Sequence, residues 1–123
     1  MELKKGMYVR IKDKNNNQFI RKIIKLPEDT RYGSIVVDKD IHYARWVSKK
    51  KVIKASSNII GLIQVGDYVN GVEVIGKEFD NFNKEYLQCG VGDYVICTFE
   101  VKHIKTILTK EQFESQKYIV ESE

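Results

Sequence analysis

Met7, Val9 and Ile11 alternate with Tyr8, Arg10 and Lys12, so this run has a period of two and one apolar face, as a half-buried strand does. The same alternation returns after Asp93. There Val95, Cys97, Phe99 and Val101 fall on one side, and Tyr94, Ile96, Thr98 and Glu100 on the other. Asn15-Asn16-Asn17, Tyr32-Gly33-Ser34 and Asn70-Gly71 read as turns, because Asn and Gly tolerate positive φ. Short alternating runs between such turns predict a mainly β chain. One helix is predicted, over 109–118, because Thr109-Lys110-Glu111-Gln112 has the spacing of a capping box.

The runs form a degenerate repeat. GMYVRI (6–11) returns as GDYVNG (66–71), and each is followed by a second β-rich run, NQFIRKIIKL (17–26) and GVEVIGKEF (71–79). The ends correspond through KVIKAS (51–56) and KHIKTI (102–107). Each unit closes with a helical turn or short helix, SSNIIGLI after the first and TKEQFESQ after the second. The first pair of words is 60 residues apart and the last pair 51, so the second unit is shorter by about nine. The expected architecture is two small SH3-like β-barrel modules in tandem with a short C-terminal helix. Its parts are a basic β module over 1–54, a helical-turn linker over 55–61, and an acidic β module over 62–123 that ends in the helix.

Length and composition fit that picture. The 123 residues hold one ordinary domain or two very small ones, and 42% hydrophobic with 31% charged residues is a globular balance. Apolar runs are only a few residues long, too short for a membrane span. MELKKGMYVRIK at the N-terminus lacks the apolar stretch of a signal peptide. Cys89 and Cys97 are the two cysteines, too few for a disulfide framework, so reduced thiols in the cytoplasm are expected.

Charge changes the picture more. Residues 1–54 carry fifteen Lys/Arg against six Asp/Glu, a balance of +9, and residues 55–123 carry six Lys against eleven acids, a balance of −5. A basic half beside an acidic half points to an anionic partner, or to head-to-tail self-association in a homo-oligomer.

Catalytic chemistry finds little support. His42 and His103 have no partner in a recognised arrangement, and no serine elbow, phosphate-binding glycine loop or Cys–His signature is present. Asp38 and Asp40 in VVDKD read as solvated acids flanking a turn rather than as a hydrolase pair. Cys89 and Cys97 lack a second pair to complete a metal set. The expectation is a protein that is not an enzyme and uses no cofactor or metal. The basic, aromatic half is more informative. Arg21, Lys22 and Lys25 share one strand-like run, and Arg31 and Tyr32 follow it in a loop. In IHYARWV (41–47), alternation sends Tyr43 and Arg45 to one face and His42 and Trp46 to the other. Trp46 reads as a core anchor and Tyr43 with Arg45 as the exposed pair. Arg forks onto phosphates and aromatic faces stack on bases, so the candidate site is Arg21, Lys22, Lys25, Arg31, Tyr32, Tyr43 and Arg45. Lys49, Lys50 and Lys51 read as a solvated turn that raises the local potential.

KASSNIIGLIQVGDYVNGVEVIGKEF and KHIKTILTKEQFESQKYIV, within residues 51–120, resemble a family of small uncharacterised proteins carried by phages and prophages of Firmicutes. Words similar to SSNIIGLI, VGDYVNG and IKTILTKEQF recur there in the same order. The resemblance implies a bacterial cytoplasm, a mobile element, and accessory genes that counter host immunity. The expected function is therefore a non-enzymatic anti-defence protein that acts by binding. It would be an anti-CRISPR-type inhibitor of a defence effector protein or a sponge for a nucleotide signal. The alternative is a small DNA- or RNA-binding regulator of phage genes.

Overall fold

In the computed structural model, which describes residues 2–26, 28, 34–41 and 44–116, the alternation at residues 7–12 becomes strand β1 (Tyr8–Lys12). Val9 and Ile11 enter a core with Ile23, Ile35, Val37 and Val47. β2 (Gln18–Lys25), β3 (Ile35–Ile41) and β4 (Ala44–Val47) follow as an antiparallel meander, and β5 (Val52–Ser56) returns to the other edge of β1. The order across this sheet is β4-β3-β2-β1-β5. The second half consists of β6 (Tyr68–Val69), β7 (Val72–Phe79), β8 (Glu85–Val91), β9 (Tyr94–Phe99) and β10 (Ile107–Leu108). Its order, β10-β6-β7-β8-β9, is the same path with β6 in the place of β1. A 3₁₀ turn precedes the fifth strand in each half, Lys49–Lys51 and Val101–His103. The protein is mainly β, with two antiparallel sheets that stay open at their edges.

Backbone hydrogen bonds fix the correspondence between the halves. Gly6 and Gly66 sit at φ +91° and +101°, and their N–H groups donate to Ile23 O and Val74 O at 2.9 Å each. Ile23 N–H and Val74 N–H return to Met7 O and Asp67 O at 2.8 and 2.7 Å. Met7 thus matches Asp67 at an offset of 60, and Ile23 matches Val74 at 51. The whole nine-residue difference lies in the first hairpin. Beyond it the offset is 52, since Ile35 pairs with Val47 as Leu87 pairs with Phe99. The KVIKAS/KHIKTI match is therefore one residue out of register. Strand pairing is set by which face is buried, and a one-residue slip would turn every side chain over, whatever short words resemble one another.

The hairpins differ accordingly. In the second unit Asn70-Gly71, at φ +52° and +83°, closes a two-residue turn of the type favoured in tight hairpins. In the first unit the turn runs from Asp13 to Asn17. Asp13 Oδ1 accepts the N–H groups of Asn15 and Asn17 at 2.8 and 2.9 Å, and Asn16 takes φ +64°. This longer hairpin reaches the C-terminal helix α1 (Lys110–Gln116), where Thr109 Oγ1 donates to Gln18 O at 2.6 Å. The capping box is formed: Thr109 Oγ1 accepts Gln112 N–H, and Gln112 Oε1 accepts Thr109 N–H, both at 3.1 Å. The expected helix residues beyond 116 lie outside the described residues.

The connection between the sheets is packed. Asn58 Oδ1 accepts Ile60 N–H at 3.0 Å and caps a 3₁₀ turn, Ile59–Leu62. Ile60 and Ile63 join Val69, Val74, Leu87 and Cys89 in a second core, and Ile20 of β2 packs against it from the first sheet. At the centre lies Arg10, on the polar side of β1, yet fully buried. Its guanidinium grips Asp67 through Nη1–Oδ2 at 2.6 Å and Nη2–Oδ1 at 3.1 Å. Nη1 also donates to Leu62 O and Nη2 to Glu111 Oε2, both at 3.1 Å, and Nε donates to Gln18 Oε1 at 2.5 Å. All five N–H donors are thus used. Asp67 accepts in addition from Gln64 N–H at 2.8 Å and Lys110 N–H at 3.0 Å.

Asp67→Ala takes the fully buried carboxylate from a buried guanidinium and leaves the Gln64 and Lys110 N–H groups without their acceptor, so it is expected to lower stability by about 3–5 kcal/mol, read as a lower urea midpoint with unchanged slope. Cys89 is buried opposite Cys97 in the β8–β9 register, and both are free thiols. Burial, with Cys97 adding to it, pushes the Cys89 thiol up from 9.0 to about 11. The folded state therefore holds this proton more tightly than the unfolded chain. Its contribution is complete below the lower value and is lost as pH rises through the higher one. Melting temperature should fall more steeply across that window in the wild type than in Cys89→Val. Parallel curves for the two proteins would refute this.

Candidate functional site

β2 carries the basic run into the groove between the two sheets. Arg21 stands opposite Val9 and Lys22 opposite Tyr8 in the β1–β2 register. Arg21 is half-buried. Its Nη1 donates to Ile20 O at 2.9 Å, its guanidinium lies 5.3 Å from the Phe19 ring centre, and its Nε is buried with no hydrogen-bond partner among the described residues. Burial lowers its pKa, opposed by the nearby Asp38 carboxylate. The Lys22 N–H donates to Asp38 Oδ1 at 3.0 Å, and its ammonium lies 5.9 Å from the Tyr8 ring centre.

These residues border a cleft of about 410 Å³ that both units build. Tyr8, Arg21, Lys22 and Lys39 line one side, and Lys105, Thr106 and Ile107 line the other. Asn70 positions the second side. Its Oδ1 accepts the N–H groups of Lys105 and Thr106 at 2.8 and 3.1 Å, and its Nδ2 donates to His103 O at 2.8 Å. Four cations thus surround a space that also holds one carboxylate, Asp38. Such a lining favours an anion with some hydrogen-bonding capacity, held by Coulomb attraction in a partly desolvated site.

The sequence-derived site is only partly gathered here. Arg21 and Lys22 line the cleft, whereas Lys25 is exposed at the end of β2 and does not. Arg45 is exposed on β4, pairs with Asp40 at 3.0 Å and is not part of the lining. Arg31, Tyr32 and Tyr43 lie outside the described residues. Lys39 and Lys105 were missed. Lys39 stands between two acids, which hides it in a charge count, and Lys105 belongs to the acidic half. Asp38 and Asp40 are on a strand, not at a turn. Asp38 holds a backbone N–H and Asp40 holds Arg45.

Trp46 corrects the reading of IHYARWV. It is 63% exposed, not a core anchor. Fully buried Ile35 pairs with Val47 and Val36 pairs with Trp46, so register sends the valine inward and the indole outward. The three lysines after it form an exposed 3₁₀ turn, as expected.

Among the described residues, no group of three or more His, Cys, Asp or Glu is placed to hold a metal ion, and no helix is long and apolar enough to cross a membrane. No protein-family model, curated protein or solved structure matches this chain.

The Arg45–Asp40 pair is exposed on both sides, so solvent screens it. Arg45→Ala is expected to change stability by less than about 1 kcal/mol in urea unfolding. A loss of several kcal/mol would show that the pair holds the β3–β4 hairpin.

Proposed function

We propose that this chain is a non-enzymatic accessory protein of a phage or prophage that acts against bacterial immunity by binding, in the cytoplasm of the host. The observation that carries the binding part is the cleft between the sheets, where Arg21, Lys22, Lys39 and Lys105 converge from both units. The anti-defence context rests on the resemblance over residues 51–120. Of the two forms such a protein takes, the nucleotide sponge suits the cleft better than the effector inhibitor. A space of about 410 Å³ matches a small anionic molecule rather than a protein surface. The same reading takes each sheet as an SH3-like barrel. Its support is the shared strand order and the 3₁₀ turn before each fifth strand.

The test has two arms. Phage plating on strains carrying single defence systems should be restored by the wild-type gene in at least one strain, and not by Lys22→Glu with Lys105→Glu. For the purified protein, calorimetric titration with cyclic nucleotides should show binding that the same double variant weakens at least tenfold. Each charge-assisted hydrogen bond to phosphate contributes about 1.5–3 kcal/mol. Affinity should fall only gently with salt, because a small nucleotide releases few counterions. Rescue in no strain removes the anti-defence reading. Rescue that survives charge reversal removes the cleft. A steep salt dependence with oligonucleotides favours the regulator of phage genes instead.

A further inference from the structure

The single tryptophan stands where core packing does not require it. Trp46 is 63% exposed, although an indole is among the side chains with most to gain from burial. It forms one wall of a second cavity, about 500 Å³, on the first unit. Ile11 and Val47 reach this cavity from the core, and Lys14 and Lys51 stand on its border. Neither lysine has an ion-pair partner among the described residues. Lys49 and Lys50 are exposed on the same 3₁₀ turn and add to the positive potential. Asp13 is the one acid in the lining, and its Oδ1 is committed to the N–H groups of Asn15 and Asn17.

The cavity is also not a by-product of the repeat. At the offset of 52, Trp46 and Lys51 correspond to Thr98 and His103. Lys14 lies in the longer first hairpin, which the second unit replaces with the two-residue turn Asn70-Gly71. The aromatic wall and the lysines thus occur together in one unit only.

We infer that this cavity is a binding site for a phosphate-bearing nucleobase, with the base stacked on the Trp46 indole and the phosphate at Lys14 and Lys51. An acidic peptide would satisfy the lysines and leave the indole face in water. A nucleotide covers both, because every base has a π-face to stack and carries its phosphate a few ångströms away. The chemistry is the same whether the base is a free nucleotide or part of a single strand. The site is separate from the basic cleft and stands or falls without it.

Because the chain has one tryptophan, its emission reports this cavity alone. Wild-type protein is titrated with thymidine monophosphate, single-stranded oligothymidylate, inorganic phosphate and a polyglutamate peptide. Quenching by either thymidylate, and not by the last two, is the expected result. Similar affinity for monophosphate and oligomer identifies a one-base site, and much tighter oligomer binding identifies a strand. With a labelled oligothymidylate read by anisotropy, Trp46→Ala should weaken binding roughly ten- to hundredfold and Trp46→Phe far less, since stacking on an aromatic ring is worth about 1–3 kcal/mol per base. Lys14→Gln with Lys51→Gln should weaken it further, whereas Lys22→Glu with Lys105→Glu should leave the quenching in place. Absence of quenching by both thymidylates overturns the inference. So does equal quenching by polyglutamate, or binding that Trp46→Ala leaves unchanged.

Discussion

The Arg10–Asp67 pair holds the molecule together as one body. Each sheet on its own buries few apolar side chains, and a β unit of about fifty residues is marginal by surface-to-volume scaling. The interface supplies what each lacks, and the fork of Arg10 occupies its centre. An apolar side chain there would tolerate many relative positions of the units. A guanidinium whose five donors meet Asp67, Leu62 O, Glu111 and Gln18 is satisfied in one. Charge burial is costly when any partner is missing, so the arrangement selects itself. Helix α1 docks on the same pair. Lys110 N–H meets Asp67, Glu111 meets Arg10, and Thr109 Oγ1 meets the carbonyl of Gln18.

The repeat explains the architecture, and its asymmetry explains the surface. Extra residues in the first hairpin carry β1 and β2 far enough to put Gln18 beside Arg10 and to bring Lys14 up to the Trp46 cavity. The second unit uses the same turn chemistry in another place. Asp80 Oδ1 accepts the N–H groups of Phe82 and Lys84 at 2.8 and 3.0 Å, as Asp13 does for Asn15 and Asn17, but in the β7–β8 hairpin. A carboxylate that satisfies two backbone donors closes a turn wherever the chain needs one.

Electrostatics looks different in three dimensions. The balance of +9 over residues 1–54 counts Arg10, which is spent inside, and Arg45, which is paired at the surface. The cations that shape the two concavities include Lys105, which lies in the half with the opposite balance. Charge per segment therefore does not locate the concavities, because the cations that line the cleft come from both halves of the chain. In the cleft, Asp38 orders the backbone of Lys22 and tempers the field that its neighbours produce.

Features that depend on neighbours along the chain are legible in the order of its residues. Alternation marked β1 and the partly buried Cys97 and Phe99 of β9, whereas Val95, beyond a register shift, and Val101, in the 3₁₀ turn, are exposed against that pattern; Asn70-Gly71 marked a tight hairpin, Thr109 and Gln112 marked the start of α1, and the returning words marked two units of unequal length. These follow from period, φ preference and capping, which act over a few residues. Which polar face is covered depends instead on contacts between distant segments. Arg10 looks solvated because its burial depends on Asp67, 57 positions away. Trp46 looks like core because its size argues for burial, yet the pairing of Ile35 with Val47 turns it outward. Lys105 joins Arg21 and Lys22 only because Ile20 and the Ile59–Leu62 turn press the two sheets together. Those outcomes depend on which surfaces meet, and that is settled by register and packing between segments whose local patterns carry no trace of one another.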